Sequence, residues 1–405
     1  MKCNRCQNED PKLFAYDHGV YYCRKCIDFS RLEVNEKIKP VKLMHKTWKG
    51  KPKLDYELTA SQKLASHDVY KHLSNGKDVI LYASTGAGKT EICFESICGY
   101  LAQGKKVGFA ISRRQVVLEI ATRLRKAFPE LSICEVAQGY TQITDADIIV
   151  CTTHQLYRYP YAFDLLILDE LDAFPFAGNE VLQAIANQAC VGQKLMLSAT
   201  PDEESMRLVE EKKTELVCLF ERPHKHPLIV PKVIQVSVFL QVLIVIYECI
   251  KFCRDNKQTL VFVPRKRDGT WLKMILNFFV KTSLVHSSTE NKDEILDCFR
   301  NKELDVLVCT TLLERGITIP SVQVVVFKGN HSVFTTASLI QIFGRVGRSF
   351  KDPKGEGICL CQFSSQSIVQ LWRRMPVTPV SFRCFSTSSG EANDNFSFSS
   401  RLYTI

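Results

Sequence analysis

The sequence predicts an α/β protein: two tandem lobes, each a parallel sheet covered by helices, preceded by a small module built around four cysteines. Three observations predict it. From Leu58 onward, short apolar runs alternate with amphipathic stretches, the pattern of parallel strands joined by helical crossovers. Two such sets occur, divided by a stretch from Glu221 to Pro231 that holds Pro223, Pro227 and Pro231 among histidines. Ahead of both stand Cys3-x-x-Cys6 and Cys23-x-x-Cys26.

Residues 1–30 form the first unit. The chain has 17 cysteines, an odd number that cannot all pair internally. Most, such as Cys93, Cys98, Cys151 and Cys309, sit singly among apolar neighbours and read as small buried hydrophobes. Cys3, Cys6, Cys23 and Cys26 are different: two knuckles separated by 16 residues have the spacing of a tetrahedral zinc ribbon. Paired disulfides are disfavoured in a reducing cytosol, and a redox Cys-x-x-Cys normally occurs once, near a βαβ unit. His18 lies between the knuckles, but four thiolates already fill the shell of Zn²⁺. Tyr16, Tyr21, Tyr22, Arg24 and Lys25 suit a nucleic-acid strand or a protein partner, or else form the ribbon's own small core.

Residues 31–57 read as a basic connector, lysine-rich, with Pro40 and Pro52 and little apolar periodicity. Residues 58–222 make the first lobe, with strands expected at 78–84, 106–112, 147–152, 163–168 and 194–198. Residues 223–375 make the second, with strands at 259–263, 283–286, 305–309, 322–327 and 357–361. From Pro376 to the end the chain turns Ser/Thr/Phe-rich, and the tail 376–405 is expected to be disordered or the product of a late change of reading frame. The most apolar stretch, Val236 to Ile250, is interrupted by Gln241 and Glu248 and falls short of the roughly 20 residues of a spanning helix. It reads as a buried helix or strand.

Composition sets the functional class. The 405 residues are 45% apolar and 24% charged, as in soluble globular proteins. Lys and Arg number 53 against 43 Asp and Glu, a formal net charge of +10 that favours a polyanionic partner, nucleic acid first. The polar, cysteine-bearing N-terminus is unlike a secretory signal, so a cytoplasmic location is expected.

The chemistry lies in three short segments. Ala83-Ser84-Thr85-Gly86-Ala87-Gly88-Lys89-Thr90 runs from a strand into a helix. Gly86 and Gly88 let the backbone wrap phosphate, Lys89 neutralises β/γ charge, and Thr90 ligates Mg²⁺ of a bound ATP. Asp169-Glu170-Leu171-Asp172 ends an apolar strand, where Asp169 holds Mg²⁺ and Glu170 accepts a proton from attacking water. In Gln341-Ile342-Phe343-Gly344-Arg345-Val346-Gly347-Arg348 the two arginines lie three apart, on one face if the segment is helical, and are suited to reach across a cleft to the γ-phosphate. Thr59-x-x-Gln62 upstream is a helix capping box, an adenine-binding glutamine, or both. Ser198-Ala199-Thr200 is a polar turn by itself. Thr310 and Thr311 are strand-end hydroxyls able to bond a phosphodiester, ahead of Glu314-Arg315-Gly316-Ile317.

Taken together these segments resemble the superfamily-two helicases and translocases. The cysteine knuckles, with Asp169 to Pro175 reading Asp-Glu-Leu-Asp-Ala-Phe-Pro, resemble the ComFA competence family of Gram-positive bacteria, over Cys3 to about Trp372. The resemblance implies two RecA-like lobes and an ATP-driven motor, stimulated by single-stranded DNA, at the cytoplasmic face of the DNA-uptake channel. It implies the partners ComFC and DprA. By the same resemblance Ser198, Thr200 and Gln341 couple the lobes, while Arg113, Arg114, Thr153 and Thr311 touch the strand. Two other functions fit parts of the pattern. A helicase of replication restart or repair would need large extra DNA-binding domains, and a zinc-dependent nucleic-acid module with a weak ATPase would not need intact Lys89, Asp169, Glu170, Arg345 and Arg348.

Overall fold

The computed structural model describes residues 1–170, 176, 178–226, 228–313, 319, 321–347 and 353–374. Arg348, the segments 171–175 and 314–318 and the tail 376–405 lie outside the described residues.

The N-terminal unit is a hairpin of β1 (Phe14–Asp17) and β2 (Val20–Cys23), paired antiparallel with Phe14 opposite Cys23. Its core is the four cysteines with Phe14 and Leu32, against which Phe29, Val34 and Ile38 pack. Val181 of the first lobe joins that cluster, and Lys25 Nζ bonds Glu180 Oε2 at 2.6 Å, so the unit is seated on the lobe.

Residues 31–57 form no helix or strand beyond an isolated bridge of Glu33 to Tyr22. They end at α1 (Ala60–Ser74), whose first turn is closed by a reciprocal capping box between Thr59 and Gln62. There follow β3 (Asp78–Ala83), α2 (Lys89–Ile92), α3 (Phe94–Leu101), β4 (Val107–Ile111), α4 (Arg114–Ala127), β5 (Ile133–Val136), β6 (Ile148–Thr152), β7 (Phe163–Asp169), α5 (Glu180–Ala189), β8 (Cys190–Ser198), α6 (Glu203–Glu210) and β9 (Thr214–Leu219). The seven strands β3 to β9 form a wholly parallel sheet in the order β5-β6-β4-β7-β8-β3-β9. Every residue of β4 and β6 is buried, as a parallel sheet covered on both faces requires. Gly108 is demanded by packing: a Cβ there would lie 2.6 Å from Cδ1 of Phe163.

The second sheet is also parallel, in the order β10-β15-β14-β11-β13-β12. Its elements are β10 (Lys232–Gln235), α7 (Val238–Arg254), β11 (Thr259–Phe262), α8 (Lys266–Leu276), β12 (Thr282–Val285), α9 (Lys292–Arg300), β13 (Val306–Cys309), β14 (Gln323–Val326), α10 (Thr336–Phe343), β15 (Gly357–Cys361) and α11 (Gln366–Arg374). All ten expected strands form. Three more strands form in the two lobes, β5, β9 and β10; each is short and interrupted or opened by a charged residue, Glu135, Glu215 and Lys232 respectively, which masks it in sequence.

The apolar stretch at Val236 is a helix, but it is not buried all round. Val245, Cys249 and Phe252 face the sheet, while Phe239, Leu243 and Tyr247, spaced four apart, are 72%, 47% and 66% exposed. One sheet covers only one face of a helix. Among the described residues no helix is long and apolar enough to cross a membrane.

Parallel strands all end at one edge, so the topology decides where the chemistry collects. The first lobe's phosphate-loop residues follow β3, Arg113 follows β4, Thr153 follows β6, Asp169 ends β7, and Ser198 ends β8.

Candidate functional site

The four cysteines converge on one point. Gln7 N–H donates to Cys3 O and Cys3 N–H to Asn8 O, both at 2.9 Å, which folds the first knuckle. The sulfurs of Cys3, Cys6, Cys23 and Cys26 lie within 4.8 Å of one another, with Cys3–Cys26 and Cys6–Cys23 at 3.6 Å. A regular tetrahedron of thiolates about 2.3 Å from zinc has edges of about 3.8 Å, so the donor set fits that ion. None of the four side chains is more than 5% exposed. His18 stands outside the cluster, on the hairpin turn beside Asp17. Tyr16 and Tyr21 are not the module's core: their rings meet at 4.8 Å on the surface, 63% and 46% exposed. Arg31 lies over the ring of Tyr22, and Lys25 is committed to Glu180.

The phosphate loop leaves β3 beside the chain leaving β9, because Ala83 pairs in register with Leu219. Ser84 N–H donates to Leu219 O and Ser84 Oγ to Phe220 O, both at 3.0 Å. Gly86 and Gly88 have φ of +85° and +83°, left-handed values that glycine adopts without strain. Gly88 also caps α2, and a Cβ on it would meet Gln62 Nε2 at 2.5 Å. Gln62 is 1% exposed; its Oε1 accepts from Thr59 N–H and its Nε2 donates to Ala87 O, both at 2.9 Å. The capping box therefore braces the phosphate loop. Lys89 Nζ reaches back to Ala83 O at 3.4 Å, and Thr90 is buried.

At the end of β7, Asp169 Oδ1 accepts from Glu170 N–H at 2.9 Å, and Glu170 N–H also points to Leu197 O at 3.2 Å. Glu170 has φ +58°, a conformation that costs a non-glycine residue about 1 kcal/mol. Its Oε2 is fully buried with no hydrogen-bond partner among the described residues. On the neighbouring β8, Ser198 Oγ accepts from Thr200 N–H at 2.9 Å and fixes the turn.

The segment after α10 meets the phosphate loop directly. Thr85 Oγ1 bonds Gln341 Oε1 at 3.3 Å, and a Cβ on Gly344 would lie 2.8 Å from Cβ of Thr85. Because α10 ends at Phe343 with Gly344 as its C-cap, Arg345 lies past the helix in a turn, 2% exposed, instead of on a helical face. A residue missing from the sequence reading holds this arrangement: Arg222, 2% exposed, three residues beyond β9. Its guanidinium donates to Thr85 O at 3.1 Å, Gly344 O at 3.0 Å, Val346 O at 3.1 Å and Gly347 O at 3.3 Å. In sequence it looks like one more cation in a proline-rich break. Recognising β9 was the one signal that would have placed it beside Thr85. His224 next to it titrates below the ordinary imidazole range, first through burial and then through the charges of Arg222 and His226.

The residues expected on the strand are more scattered. Arg113 and Arg114 lie at the start of α4; Arg114 Nε donates to Gln138 O at 3.0 Å, with its guanidinium over the ring of Tyr140. Thr153 is 1% exposed and its hydroxyl does not reach the surface in this arrangement. Thr310 and Thr311 are half-buried just past β13.

Comparison with known proteins agrees with this geometry. Residues 59–208 match the DEAD/DEAH box helicase family, and residues 241–350 match the helicase conserved C-terminal domain. The chain is 32% identical over 386 residues to competence protein ComFA of Bacillus subtilis, covering 88% of this chain and 81% of that protein. It is 33% identical over 374 residues to competence protein ComFA of Streptococcus pneumoniae, covering 87% and 84%. Among solved structures, Mss116p bound to ssRNA and AMP-PNP superposes with a TM-score of 0.63 at 21% identity, over 79% of this chain and 73% of that one. RecG bound to a three-way DNA junction gives 0.58 at 22% identity, over 79% and 45%. These likenesses show the RecA-like fold of both lobes.

The close approach of Gly344 to Thr85 is directly testable. Gly344→Ala is expected to push the arginine segment off the phosphate loop and lower ATP turnover about tenfold, equivalent to about 1.4 kcal/mol on the barrier, with circular dichroism unchanged. Wild-type turnover by a folded Gly344→Ala protein would contradict the contact's importance.

Proposed function

The chain belongs to the ComFA family of competence proteins and is an ATP-hydrolysing helicase or translocase, and from that premise we propose that it moves on single-stranded DNA and helps draw transforming DNA into the cytoplasm. The observation that carries the reading is the contact between lobes: Thr85 and Gly344 touch, and Arg222 bonds both segments. A nucleotide site assembled from two lobes can report the presence of a strand lying across both.

In this reading Ser84 to Thr90 wrap the phosphates, Lys89 neutralises charge, and Gln62 meets the adenine edge as well as bracing the loop. Thr90 and Asp169 hold Mg²⁺, which neutralises charge on the transferring phosphoryl group when bound. Glu170 takes the proton of the attacking water. Arg345 and Arg348 reach the γ-phosphate on closure, with Ser198, Thr200 and Gln341 coupling closure to the strand. Arg113, Arg114, Thr310 and Thr311 contact phosphodiester, and Thr153, buried within the first lobe, is the further strand contact that the family resemblance implies. Residues 1–30 are a zinc module and 58–222 and 223–375 the two motor lobes. ComFC, DprA and the uptake channel are the partners the family resemblance implies, at the inner face of the membrane.

Turnover measured with single-stranded DNA, duplex DNA, RNA and no nucleic acid is expected to be highest with single-stranded DNA. Lys89→Ala is expected to weaken nucleotide binding, whereas Glu170→Gln keeps binding and loses turnover at least a hundredfold. Full hydrolysis by Glu170→Gln removes its role as base, and stimulation by RNA alone makes the protein an RNA motor.

The four thiolates are proposed to hold one Zn²⁺ per chain. Elemental analysis of freshly purified, reduced protein is expected to find it, and Cys23→Ser to lose it while basal hydrolysis changes less than DNA engagement. Zinc-free wild-type protein would refute the site.

A further inference from the structure

Residues 37–53 hold seven lysines, one histidine and no Asp or Glu. A run of this kind free in solution is an ordinary solvated linker, but this one is fixed. Val41 N–H donates to Pro160 O at 3.1 Å, Met44 N–H to Asp145 Oδ2 at 2.7 Å, Trp48 N–H to Leu101 O at 3.0 Å and Lys53 N–H to Ala127 O at 2.8 Å. The Trp48 indole donates to Glu130 Oε2 at 2.9 Å. Lys106, 2% exposed, donates to Met44 O and to Asp145 Oδ1, both at 2.8 Å, and to Ala146 O. Partial burial pushes the Asp145 carboxyl up, but the bonds from Lys106 and from Met44 N–H outweigh it and hold the group below the usual carboxylate range.

The apolar side chains turn inward. Val41 and Leu43 pack on one core cluster of the first lobe and Trp48 lies inside another. The lysines are left outside. The side chains of Lys37, Lys39, Lys42, Lys49, Lys51 and Lys53 are all exposed, and their ammonium groups make no hydrogen bond or ion pair among the described residues. Lys46 alone of the seven is engaged, with Glu130 O at 3.1 Å and Asp147 at 3.6 Å.

The strap's anchors mark its position. Pro160 precedes β7, Asp145 precedes β6, Lys106 precedes β4, and Leu101 ends α3. Every one lies at the edge where strands begin. The phosphate loop, Arg113 and Asp169 lie at the edge where strands end, about 17 Å away across a five-residue strand.

We propose that residues 37–53 are a second binding track for single-stranded nucleic acid, contacting its phosphates through Lys37, Lys39, Lys42, Lys49, Lys51 and Lys53, on the edge of the first lobe opposite the motor's strand-binding face. Fixing the backbone in advance removes the ordering cost that a free lysine-rich linker would incur on binding. A polyanion with closely spaced charges gains from such a row through counterion release. An acidic membrane fits less well, because the strap turns its apolar groups inward, Pro40 and Met44 excepted, and two isolated side chains make no apolar face to insert among acyl chains. The proposal goes beyond the motor reading and rests on it only for the choice of single-stranded DNA as probe.

The test uses the full chain without ATP and a fluorescent oligo-dT of about 40 nucleotides, titrated over a range of salt. The triple variants Lys37/Lys39/Lys42→Gln and Lys49/Lys51/Lys53→Gln are expected to weaken binding about tenfold at 0.1 M salt and each to flatten the log–log salt slope by about 2. Basal ATP turnover should stay at the wild-type value in both, since these lysines lie outside the nucleotide site. Wild-type affinity and slope in both variants overturn the proposal while leaving the motor reading intact. A wild-type protein that does not bind the oligonucleotide overturns both. If the variants lose binding to phosphatidylglycerol vesicles yet keep the oligonucleotide, the strap is a membrane contact and the proposal falls.

Discussion

The guanidinium of Arg222 is the contact on which the arrangement of the nucleotide site depends. It is a fully desolvated cation that donates to one carbonyl of the phosphate loop and three of the segment carrying Arg345. Burying an ion costs several kcal/mol, and hydrogen bonds to a charged group each return about 1.5–3 kcal/mol. Three of these four bonds come from the segment carrying Arg345. Separation of the lobes removes those three bonds and leaves the one to Thr85 O, so Arg222 links the order of the two segments.

Around that contact the geometry follows from strand direction. β3 and β9 run parallel and in register, so the phosphate loop and the stretch through Arg222 emerge side by side. β7 and β8 end beside them, bringing Asp169, Glu170 and Ser198 to the same edge. The site carries local costs that a purely structural turn would avoid: a left-handed φ and an unsatisfied buried oxygen at Glu170, and a glycine at 344 where any side chain would collide with Thr85.

Much of this was legible in the sequence, for identifiable reasons. Long apolar runs such as those of β4 and β6 are buried on both faces and need no context to be read as strands. The cysteine spacing led directly to a cluster of four sulfurs. What stayed hidden depended on pairing between distant segments. β9 starts among charged residues and is recognisable only by its match to β3, and without it Arg222 has no visible role. The connector's lack of periodicity was real, but it concealed an ordered strap, because Val41, Leu43 and Trp48 are too few and too irregularly spaced to announce an inward face. The outward stripe on α7 was hidden for the reverse reason, since apolar residues on both sides of a helix read as burial.

The central claim is that one arginine couples the phosphate loop to the arginine segment of the other lobe. Amide hydrogen exchange in wild type and Arg222→Gln tests it most directly. Its reporters are the bonded amides Ser84 and Ala87 on one side and Gly344, Arg345 and Val346 on the other. The account predicts that protection falls in both sets together while β4 and β6 keep theirs. Loss in one set alone, or in neither, would contradict it.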